Sequence, residues 1–429
     1  MDFQDAVAYL NSFINYEKKK NIVYDEDHYN LESFRALAGL FDRPHDAVPC
    51  FHVTGTKGKG SVVEFLKNML MAQGFRVGTF TSPHLYNVRE RIRIDDEWIS
   101  EEDFAILVEK IRPATSGREK RYRTFFELIT LMSFLYFREK QVDWAVYEVG
   151  MGGRLDSTNI IRPRCAVINT VSLDHTETLG PTLQHIAREK AGIVKPGVPV
   201  VIGPQQEGIA AYLEELALEA GGEPILFGKD FRTEGPYLIM GGEKFGPVKL
   251  AMRGEHQIRN CACAFQALLS AGVASGEKRS LVGAMEKTLL GGRIEERMFK
   301  GRLIVLDVGH TVESVQSLYN ALKERYPEKE LVSVVSYSQG KNLAGMLTLD
   351  QKWCRKVILT ENSSFRSARV DDLRQAARER EGLMEEKDLE SALESAIASA
   401  KPSDLIVIHG SFYLIGDLYE IMEKYQNQQ

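Results

Sequence analysis

Residues 52–61 read His-Val-Thr-Gly-Thr-Lys-Gly-Lys-Gly-Ser and combine glycines, lysines and hydroxyls at a spacing that suits phosphate binding. Glycines at 55, 58 and 60 let backbone N–H groups turn toward an anion with no Cβ in the way. Lys59 adds a full positive charge, and the hydroxyl of Ser61 is placed to reach Mg²⁺. The segment therefore predicts a phosphate-binding loop.

The elements on either side of this loop fit the same interpretation. An apolar run at 48–53 is typical of a buried strand, and apolar residues recur at helical period on one face of 62–70. This layout points the positive end of a helix dipole at the phosphate. The strict motif Gly-x4-Gly-Lys-Ser/Thr is not matched, because Val53 stands where its first glycine belongs. A Gly/Lys-rich surface turn is the alternative.

The composition of the whole chain indicates a soluble protein of several domains. Its 429 residues are 44% hydrophobic and 27% charged, with a net charge of −6. The N-terminus is acidic and lacks a cationic region followed by an apolar stretch, and no apolar run reaches about 18 residues. The five cysteines are scattered and form no Cys-x-x-Cys pair. We expect a cytoplasmic monomer with small-molecule partners, and neither nucleic acid nor membrane as partner.

Apolar β-branched runs alternate with amphipathic stretches through both halves of the chain, which predicts an α/β protein with parallel sheets. A glycine-rich segment at 227–252 predicts a hairpin. The turn at 291–293 is the best linker, so we place two domains at 1–295 and 296–429. The predicted strands are Phe51–Val53, Arg76–Phe80, Trp144–Val149, Cys165–Val171, Val198–Ile202, Leu303–Val308, Leu331–Tyr337, Lys356–Thr360 and Leu405–His409, and the predicted helices include Glu313–Tyr326, Val370–Glu381 and Asp388–Lys401.

Polar residues follow several of these strands, where binding sites of parallel sheets lie. Glu148 ends one strand and is followed by three glycines within four residues, so its carboxylate is a candidate ligand for Mg²⁺. A capped turn is the alternative. His175 follows the next strand and is a second candidate ligand, although a lone histidine there is more often a satisfied surface or core residue.

The segment after the strand Arg76–Phe80 offers a hydroxyl and a run of arginines. Pro83 disfavours helix at Ser82, so the chain turns there and presents the hydroxyl, although an ordinary strand exit would read the same way. Arginines at 89, 91 and 93 would share one face of an extended segment, as an anion-binding or simply solvated face. The basic stretch 118–123 could attract an anionic ligand, with a solvated loop as the alternative.

Taken in order, these motifs resemble the folylpolyglutamate synthase/dihydrofolate synthase branch of the Mur ligase superfamily. The resemblance runs from about residue 30 to the C-terminus. The matching strings are GTKGKGS at 55–61, TSPHL at 81–85, RERIRI at 89–94, TFFELIT at 124–130, EVGMGGRLDSTN at 148–159, LDHTETLG at 173–180, REKAGIVKPGVP at 188–199, HQIRN at 256–260, GGRIE at 291–295, DVGHTVES at 307–314 and GSFYLIG at 410–416.

The resemblance implies an N-terminal P-loop ATPase domain with a parallel sheet and a smaller, Rossmann-like C-terminal α/β domain. It also implies an ATP-dependent carboxylate–amine ligase that forms ADP. ATP would activate the carboxylate of a folate as an acyl phosphate, and the amino group of L-glutamate would then attack it. The alternatives are a bifunctional dihydrofolate synthase and a Mur-type ligase that joins glutamate to another carboxylate metabolite. The cofactors would be ATP and Mg²⁺, with room for a second cation.

Residue roles follow from the same resemblance. Lys190, which by itself reads as an ordinary cation at a helix end, matches the lysine that such enzymes carry as a carbamate. Lys59, Glu148, His175, Lys190 and His310 form the expected catalytic set, and Arg154 and Ser411 are expected substrate contacts. Nucleotide contacts are expected from Lys57, Gly58, Lys59, Gly60, Ser61, Asn260, Arg293 and Asp307, and metal ligands from Ser82, Glu148 and His175.

Three positions depart from the pattern of many bacterial relatives. Lys57 replaces an asparagine, and the segment after His310 lacks the usual Asn-Pro. Both features look more like the polyglutamylating enzymes of eukaryotes. Gly340-Lys341-Asn342 replaces an Asp-Lys-Asp signature. These departures concern the acceptor and the presence of dihydrofolate synthase activity rather than the ligase chemistry.

Overall fold

The computed structural model describes residues 1–16, 25, 29–117, 123–273, 278–379 and 381–426. They form two compact units: Met1–Ala251 with Glu255–Thr288, and Met252–Gly254 with Leu289–Gln429. Of the basic stretch 118–123, residues 118–122 lie outside the described part of the chain. Arg123 is described and is buried, with its guanidinium 3.8 Å from the carboxylate of Glu127.

The first unit is built on an eight-stranded sheet with the order β4-β3-β2-β5-β1-β6-β7-β8. The neighbours from β2 to β8 are all parallel, which confirms the parallel sheet predicted from the sequence, while β3 and β4 are antiparallel at one edge. The strands are β1 (Cys50–Thr54), β2 (Val77–Phe80), β3 (Ile92–Ile94), β4 (Glu97–Trp98), β5 (Trp144–Glu148), β6 (Cys165–Ile168), β7 (Pro199–Ile202) and β8 (Glu223–Leu226).

Several helices of the first unit begin at polar caps. Ser100, Thr124 and Thr182 each accept a backbone N–H from the first turn of the helix that follows, which satisfies a donor that has no partner within the helix. The helices are α1 (Phe3–Asn11), α2 (Leu31–Gly39), α3 (Lys59–Met71), α4 (Glu101–Thr115), α5 (Phe125–Glu139), α6 (Thr176–Leu179), α7 (Leu183–Ala191), α8 (Ile209–Glu219), α9 (Glu255–Ser270) and α10 (Lys278–Lys287).

A small antiparallel sheet confirms the hairpin predicted at 227–252. It has the order β11-β10-β9 and comprises β9 (Phe231–Glu234), β10 (Tyr237–Met240) and β11 (Glu243–Phe245).

No helix of the described residues is long and apolar enough to cross a membrane.

The second unit carries a six-stranded sheet with the order β12-β13-β17-β14-β15-β16, in which only β12 is antiparallel to its neighbour. Its strands are β12 (Glu295–Phe299), β13 (Arg302–Asp307), β14 (Leu331–Val335), β15 (Lys356–Leu359), β16 (Leu383–Glu385) and β17 (Leu405–His409). Its helices are α11 (Val312–Arg325), α12 (Leu343–Trp353), α13 (Val370–Ala376), α14 (Leu389–Ser399) and α15 (Phe412–Gln426).

The sequence patterns miss the outermost strands. The strands β8, β12 and β16 lie at sheet edges, where polar residues are tolerated because one side of the strand faces solvent. The sequence of β12, Glu-Glu-Arg-Met-Phe, therefore lacks the apolar run of the central strands. The helix predicted at Val370–Glu381 is shorter in the structure, because α13 ends at Ala376.

A buried polar cluster should make a large contribution to the stability of the second unit. The carboxylate of Asp350 accepts hydrogen bonds from the hydroxyls of Tyr319 (2.8 Å) and Tyr337 (2.6 Å), and Nε2 of His409 lies 3.2 Å from it. We expect Asp350→Ala to lower the free energy of unfolding by about 3 kcal/mol, because three buried polar groups lose their acceptor. Calorimetry should show a fall of about 10 °C in the melting temperature of this unit.

The matched control is Asp371→Ala, which removes an exposed aspartate paired with Arg374 on α13. An exposed pair of this kind contributes less than about 1 kcal/mol, so the melting temperature should change little. Equal shifts for the two variants would contradict a special contribution from the buried cluster.

Candidate active site

The loop between β1 and α3 is tightly packed at Gly58. This residue has a φ of +79°, a conformation that favours glycine. A Cβ there would lie 2.3 Å from Nδ2 of Asn169 and 2.5 Å from Oδ1 of Asn260. Lys59 opens α3 and donates from Nζ to the carbonyl oxygen of Gly55 at 3.2 Å. The loop therefore folds back on itself at the N-terminus of a helix, as a phosphate-binding loop requires.

Two hydrogen-bonded asparagines, Asn169 and Asn260, pack against this loop. Asn169 donates from Nδ2 to the carbonyl oxygen of Lys57 (3.0 Å) and to Oδ1 of Asn260 (2.8 Å). Asn260, a predicted nucleotide contact, is buried on α9 and donates in turn to Oε1 of Gln257 at 3.0 Å. Asn169 is a site residue that the sequence analysis missed, although its position directly after β6 is the same signal that identified Glu148.

A cleft lies beside the loop and brings together three of the predicted catalytic residues, Lys59, His175 and Lys190. These residues come from the start of α3, from the turn after β6 and from α7. Asp174 also lines the cleft and was not among the predicted residues. The lining is completed by Gly55, Thr56, Val149, Gly150, Met151, Gly152 and Leu179.

Lys190 is buried in this cleft, and its environment changes its acid–base behaviour. Burial, reinforced by the positive charge of Lys59, lowers the pKa of Lys190 to about 7. The carboxylates of Asp174 and Asp156 act in the opposite direction. An amine with this pKa is largely unprotonated just above neutral pH, which makes it a competent nucleophile.

Glu148 and Ser82 meet at the neighbouring strand ends. The backbone N–H of Ser82 donates to Oε2 of Glu148 at 3.1 Å. Burial raises the pKa of the Glu148 carboxyl, while the positive charge of Lys59 is the largest influence that lowers it. A cation bound at this carboxylate would favour its ionised form.

His175, the third predicted metal ligand, sits at the N-terminal end of α6 with a φ of +49° and a side chain that is 53% exposed. Carboxylate and hydroxyl oxygens with an imidazole nitrogen are a donor set that suits a divalent cation. Within the described ranges, no three His, Cys, Asp or Glu side chains are grouped closely enough to hold a metal by themselves. Any cation here would thus share its coordination with hydroxyl or phosphate oxygens.

A buried carboxylate shapes the glycine-rich segment after β5. Oδ2 of Asp156 accepts the N–H groups of Gly150 (3.0 Å) and Met151 (3.1 Å), and its Oδ1 accepts the N–H of Thr158. Arg154, a predicted substrate contact, pairs with Glu189 at 3.1 Å and is thereby tied to the helix that carries Lys190.

The arginines at 89, 91 and 93 do not form a common face, so the anion-binding strand considered above is wrong. Residues Val88–Arg91 form a 3₁₀ turn, and β3 begins only at Ile92. Arg91 is 1% exposed and donates to Nδ1 of His84 at 2.7 Å. Arg93 pairs with Glu64 of α3. The alternation of arginines predicted an extended segment from residue 89, but the chain turns before the strand starts at Ile92.

In the second unit, Asp307 and Ser411 follow neighbouring strands. Asp307 is buried at the end of β13 and accepts the N–H groups of Gly309 (2.7 Å) and Ile294 (3.1 Å). Because Asp307 pairs with His409, the turn with Ser411 lies at the same edge of the sheet.

The two remaining predicted residues of this unit, His310 and Arg293, both have exposed side chains. Nδ1 of His310 contacts the carbonyl oxygen of Val308 at 3.1 Å, which requires the proton on Nδ1. The backbone N–H of Arg293 donates to the carbonyl oxygen of Leu290, within the turn that precedes β12.

A second, smaller pocket in the first unit was not predicted. Its most distinctive group is Glu127 on α5, whose carboxylate accepts the N–H of Thr124 at 2.7 Å. Burial raises the pKa of this carboxyl. The cavity is lined by Tyr29, Asn30, Leu31, Thr124, Glu127, Leu155 and Ser157. Residues 155 and 157 follow directly on the glycine-rich segment that lines the first cleft.

Comparison with known proteins identifies the family. The Mur ligase middle domain matches residues 53–268, and the glutamate ligase domain of Mur ligases matches residues 292–412. The folylpolyglutamate synthase of Lacticaseibacillus casei is 32% identical over 347 residues, covering 76% of this chain and 78% of that protein.

Two solved structures have the same fold. The folylpolyglutamate synthase of Mycobacterium tuberculosis, complexed with ADP, is 28% identical with a TM-score of 0.85 over 98% of each chain. A bifunctional folylpolyglutamate synthase/dihydrofolate synthase with Mn, AMPPNP and L-glutamate bound is 25% identical, with a TM-score of 0.83 over 99% of this chain and 98% of the other. The chain therefore belongs to the folylpolyglutamate synthase/dihydrofolate synthase family of Mur ligases, ATP-dependent, ADP-forming enzymes that use a divalent cation and join glutamate to folate.

Proposed function

We propose that this chain is a folylpolyglutamate synthase, which adds L-glutamate to the carboxylate of a reduced folate. The observation that carries the proposal is the cleft in which Lys59, Lys190 and His175 meet. It combines a helix N-terminus and a lysine for phosphate with a second lysine whose pKa lies near neutrality. Transfer of a phosphoryl group requires positive charge beside the phosphates, which Lys59 and the N-terminus of α3 supply.

The proposed reaction has two steps. An oxygen of the folate carboxylate attacks the γ-phosphorus of ATP, the bond to the bridging oxygen breaks, and ADP leaves. The amino nitrogen of glutamate then attacks the acyl carbon, phosphate leaves with the former carboxylate oxygen, and the nitrogen loses a proton. The segment 57–61, with Lys57, Gly58, Lys59, Gly60 and Ser61, holds the triphosphate, and Lys59 neutralises charge that develops on the transferred group.

Ser82, Glu148 and His175 are proposed to hold a divalent cation at this cleft. The burial of Glu148 beside the loop, and the bond from the N–H of Ser82 that fixes one of its oxygens, support this role. The cation supplies charge neutralisation for the phosphates when it is bound. Lys190 is proposed to react with CO₂ and become a carbamate, whose negative charge would help to hold a second cation.

The remaining residues are proposed to act on either side of a domain boundary. Residues 1–295 would bind ATP and the acceptor, with Asn260 supporting the nucleotide loop and Arg154 near the acceptor. Residues 296–429 would bind glutamate, with His310 and Ser411 as contacts and Asp307 for the nucleotide. Arg293, just before the boundary, would be a further nucleotide contact. The domain assignments of the two family matches, 53–268 and 292–412, support this division.

The second cavity is proposed to take the aromatic ring system of the acceptor. Tyr29 and the buried carboxyl group of Glu127 line it. A folate ring carries an amino group and a ring N–H, and one carboxylate can accept a hydrogen bond from each of them. Because one segment of chain lines both cavities, a ring bound here would lie next to the phosphate cleft.

A second candidate function is dihydrofolate synthase activity, with dihydropteroate as the acceptor. It is supported by the bifunctional relative that matches 99% of this chain. A ligase acting on an unrelated carboxylate metabolite is the third candidate, motivated by Gly340-Lys341-Asn342.

A substrate panel separates these candidates. Purified protein with ATP, Mg²⁺ and L-glutamate should release phosphate only when a folate is added, and mass spectrometry should show a folate that is heavier by one glutamyl residue. Product from tetrahydrofolate but not from dihydropteroate supports polyglutamylation alone. Product from both supports the bifunctional enzyme. Absence of product from every pterin-containing acceptor would refute both folate activities.

We also propose that the enzyme is a cytoplasmic monomer acting on small molecules. All five cysteines are described, buried and unpaired, which suits a reducing compartment. Light scattering coupled to gel filtration, and fractionation of the source cells, would test the two statements separately.

A further inference from the structure

The loop that carries Ser82 is held by a single carboxylate. Glu90 accepts three consecutive backbone N–H groups, from Leu85 (2.7 Å), Tyr86 (2.9 Å) and Asn87 (2.7 Å). Both oxygens take part, since Oε2 binds the first donor and Oε1 the other two. Hydrogen bonds to an ionised carboxylate are about twice as strong as neutral ones, so this cluster fixes the backbone of 85–87.

Arg91, the residue after Glu90, binds the first half of the loop. Arg91 is fully buried, and its Nε donates to Nδ1 of His84, while its carbonyl oxygen accepts the N–H of Thr81 at 3.1 Å. The guanidinium also lies 5.3 Å from the ring centre of Phe125. The segment 81–87 is therefore bound at both ends to the short turn that contains Glu90 and Arg91.

The position of this segment determines where Ser82 lies at the proposed cation site. Ser82 lies between the two anchored ends, and its N–H donates to Oε2 of Glu148 at 3.1 Å. A change in the path of 85–87 would move Ser82 relative to that carboxylate. These three hydrogen bonds all come from backbone groups of this loop, so an effect of Glu90 on the site would act through the loop.

We propose that Glu90 is a positioning residue that, through the loop 81–87, sets the geometry of Ser82 and Glu148 and thereby the affinity for the divalent cation. This inference rests on the proposed assignment of Ser82 and Glu148 as cation ligands. Residues behind metal ligands commonly change metal affinity by about 10- to 100-fold when they are altered.

The test is Glu90→Gln, which keeps the size of the side chain but turns one acceptor into an –NH₂ group that faces backbone donors. We expect the Mg²⁺ concentration for half-maximal activity to rise about tenfold, with the KM for glutamate changed less than about twofold. Binding of Mn²⁺ to the protein with ADP, followed by electron paramagnetic resonance, should weaken by about the same factor. Glu90→Asp retains the carboxylate and should recover most of the cation affinity, including if Glu90→Gln folds poorly.

The matched control is Glu102→Gln on the exposed first turn of α4, which should leave cation affinity unchanged. Wild-type cation affinity in Glu90→Gln, with a lower melting temperature, would overturn the proposal and leave Glu90 as a cap of the 3₁₀ turn. So would weakening that is equal in Glu90→Asp and Glu90→Gln. The Mn²⁺ measurement needs no turnover, so it decides the role of Glu90 even if the substrate panel were to refute folate glutamylation.

Discussion

Replacing Lys59 by methionine is expected to lower kcat by about 10³-fold, which corresponds to about 4 kcal/mol of lost transition-state stabilisation. The reason lies in the charges of the cleft. Of the described residues that line it, only Lys59 and Lys190 are lysines, and the pKa of Lys190 is lowered to about 7. Lys59→Met therefore removes the main positive charge available to the phosphates. Phosphate release and product formation under saturating substrates measure the effect.

The control for this variant lies two residues away. Lys57 is an exposed lysine of the same loop, and its carbonyl oxygen is the group that Asn169 holds. Lys57→Met keeps that backbone contact and removes an exposed charge that we propose contributes to binding the triphosphate, so we expect weaker ATP binding but a fall in turnover at saturating ATP of less than about tenfold. Equal losses for the two variants would mean that the loop attracts ATP by net charge alone. Near-normal kcat in Lys59→Met would show that the loop does not hold the transferred phosphate.

The sequence predicted the edge of the sheet at which the candidate cleft lies, because polar residues that end parallel strands gather there. The strand register explains why the sequence could place Glu148 at this edge of the sheet. Val53 of β1 pairs with Glu148 of β5, and Phe80 of β2 pairs with Tyr147, so the loop after β1 and Ser82 are both brought to that carboxylate. The buried central strands carry uninterrupted apolar runs, which a sequence shows directly.

The sequence could not predict contacts that depend on how side chains turn within a loop. The charges at 89–93 alternate as in a solvated strand, but Glu90 binds three backbone N–H groups and Arg91 is buried under the loop. Nor could it predict the second cavity, because segments near 30, 125 and 156 are distant in the chain and only tertiary packing joins them. Such features depend on long-range geometry rather than on periodicity.

Lys190 gives the second large effect, because Lys190→Ala should lower kcat by about 10³-fold under the same assay. Its pKa of about 7 means that most of the side chain is an unprotonated amine at pH 8, which is the form needed for the proposed reaction with CO₂ to a carbamate and one proton. Below pH 7 the ammonium form predominates and cannot react. We therefore expect activity in bicarbonate-containing buffer to fall as the pH drops through 7. Removal of CO₂ at pH 8 should lower activity reversibly.

Chemical rescue distinguishes the two possible roles of Lys190. A short carboxylic acid added to Lys190→Ala supplies the negative charge of a carbamate, whereas a short alkylamine supplies a cation. The vacated space is buried and lies in the cleft with Lys59, Asp174 and His175, so either small molecule would be placed beside the same charges. We expect the acid, and not the amine, to restore part of the activity. Rescue by the amine alone would mean that Lys190 works as an ammonium ion and that the carbamate assignment is wrong.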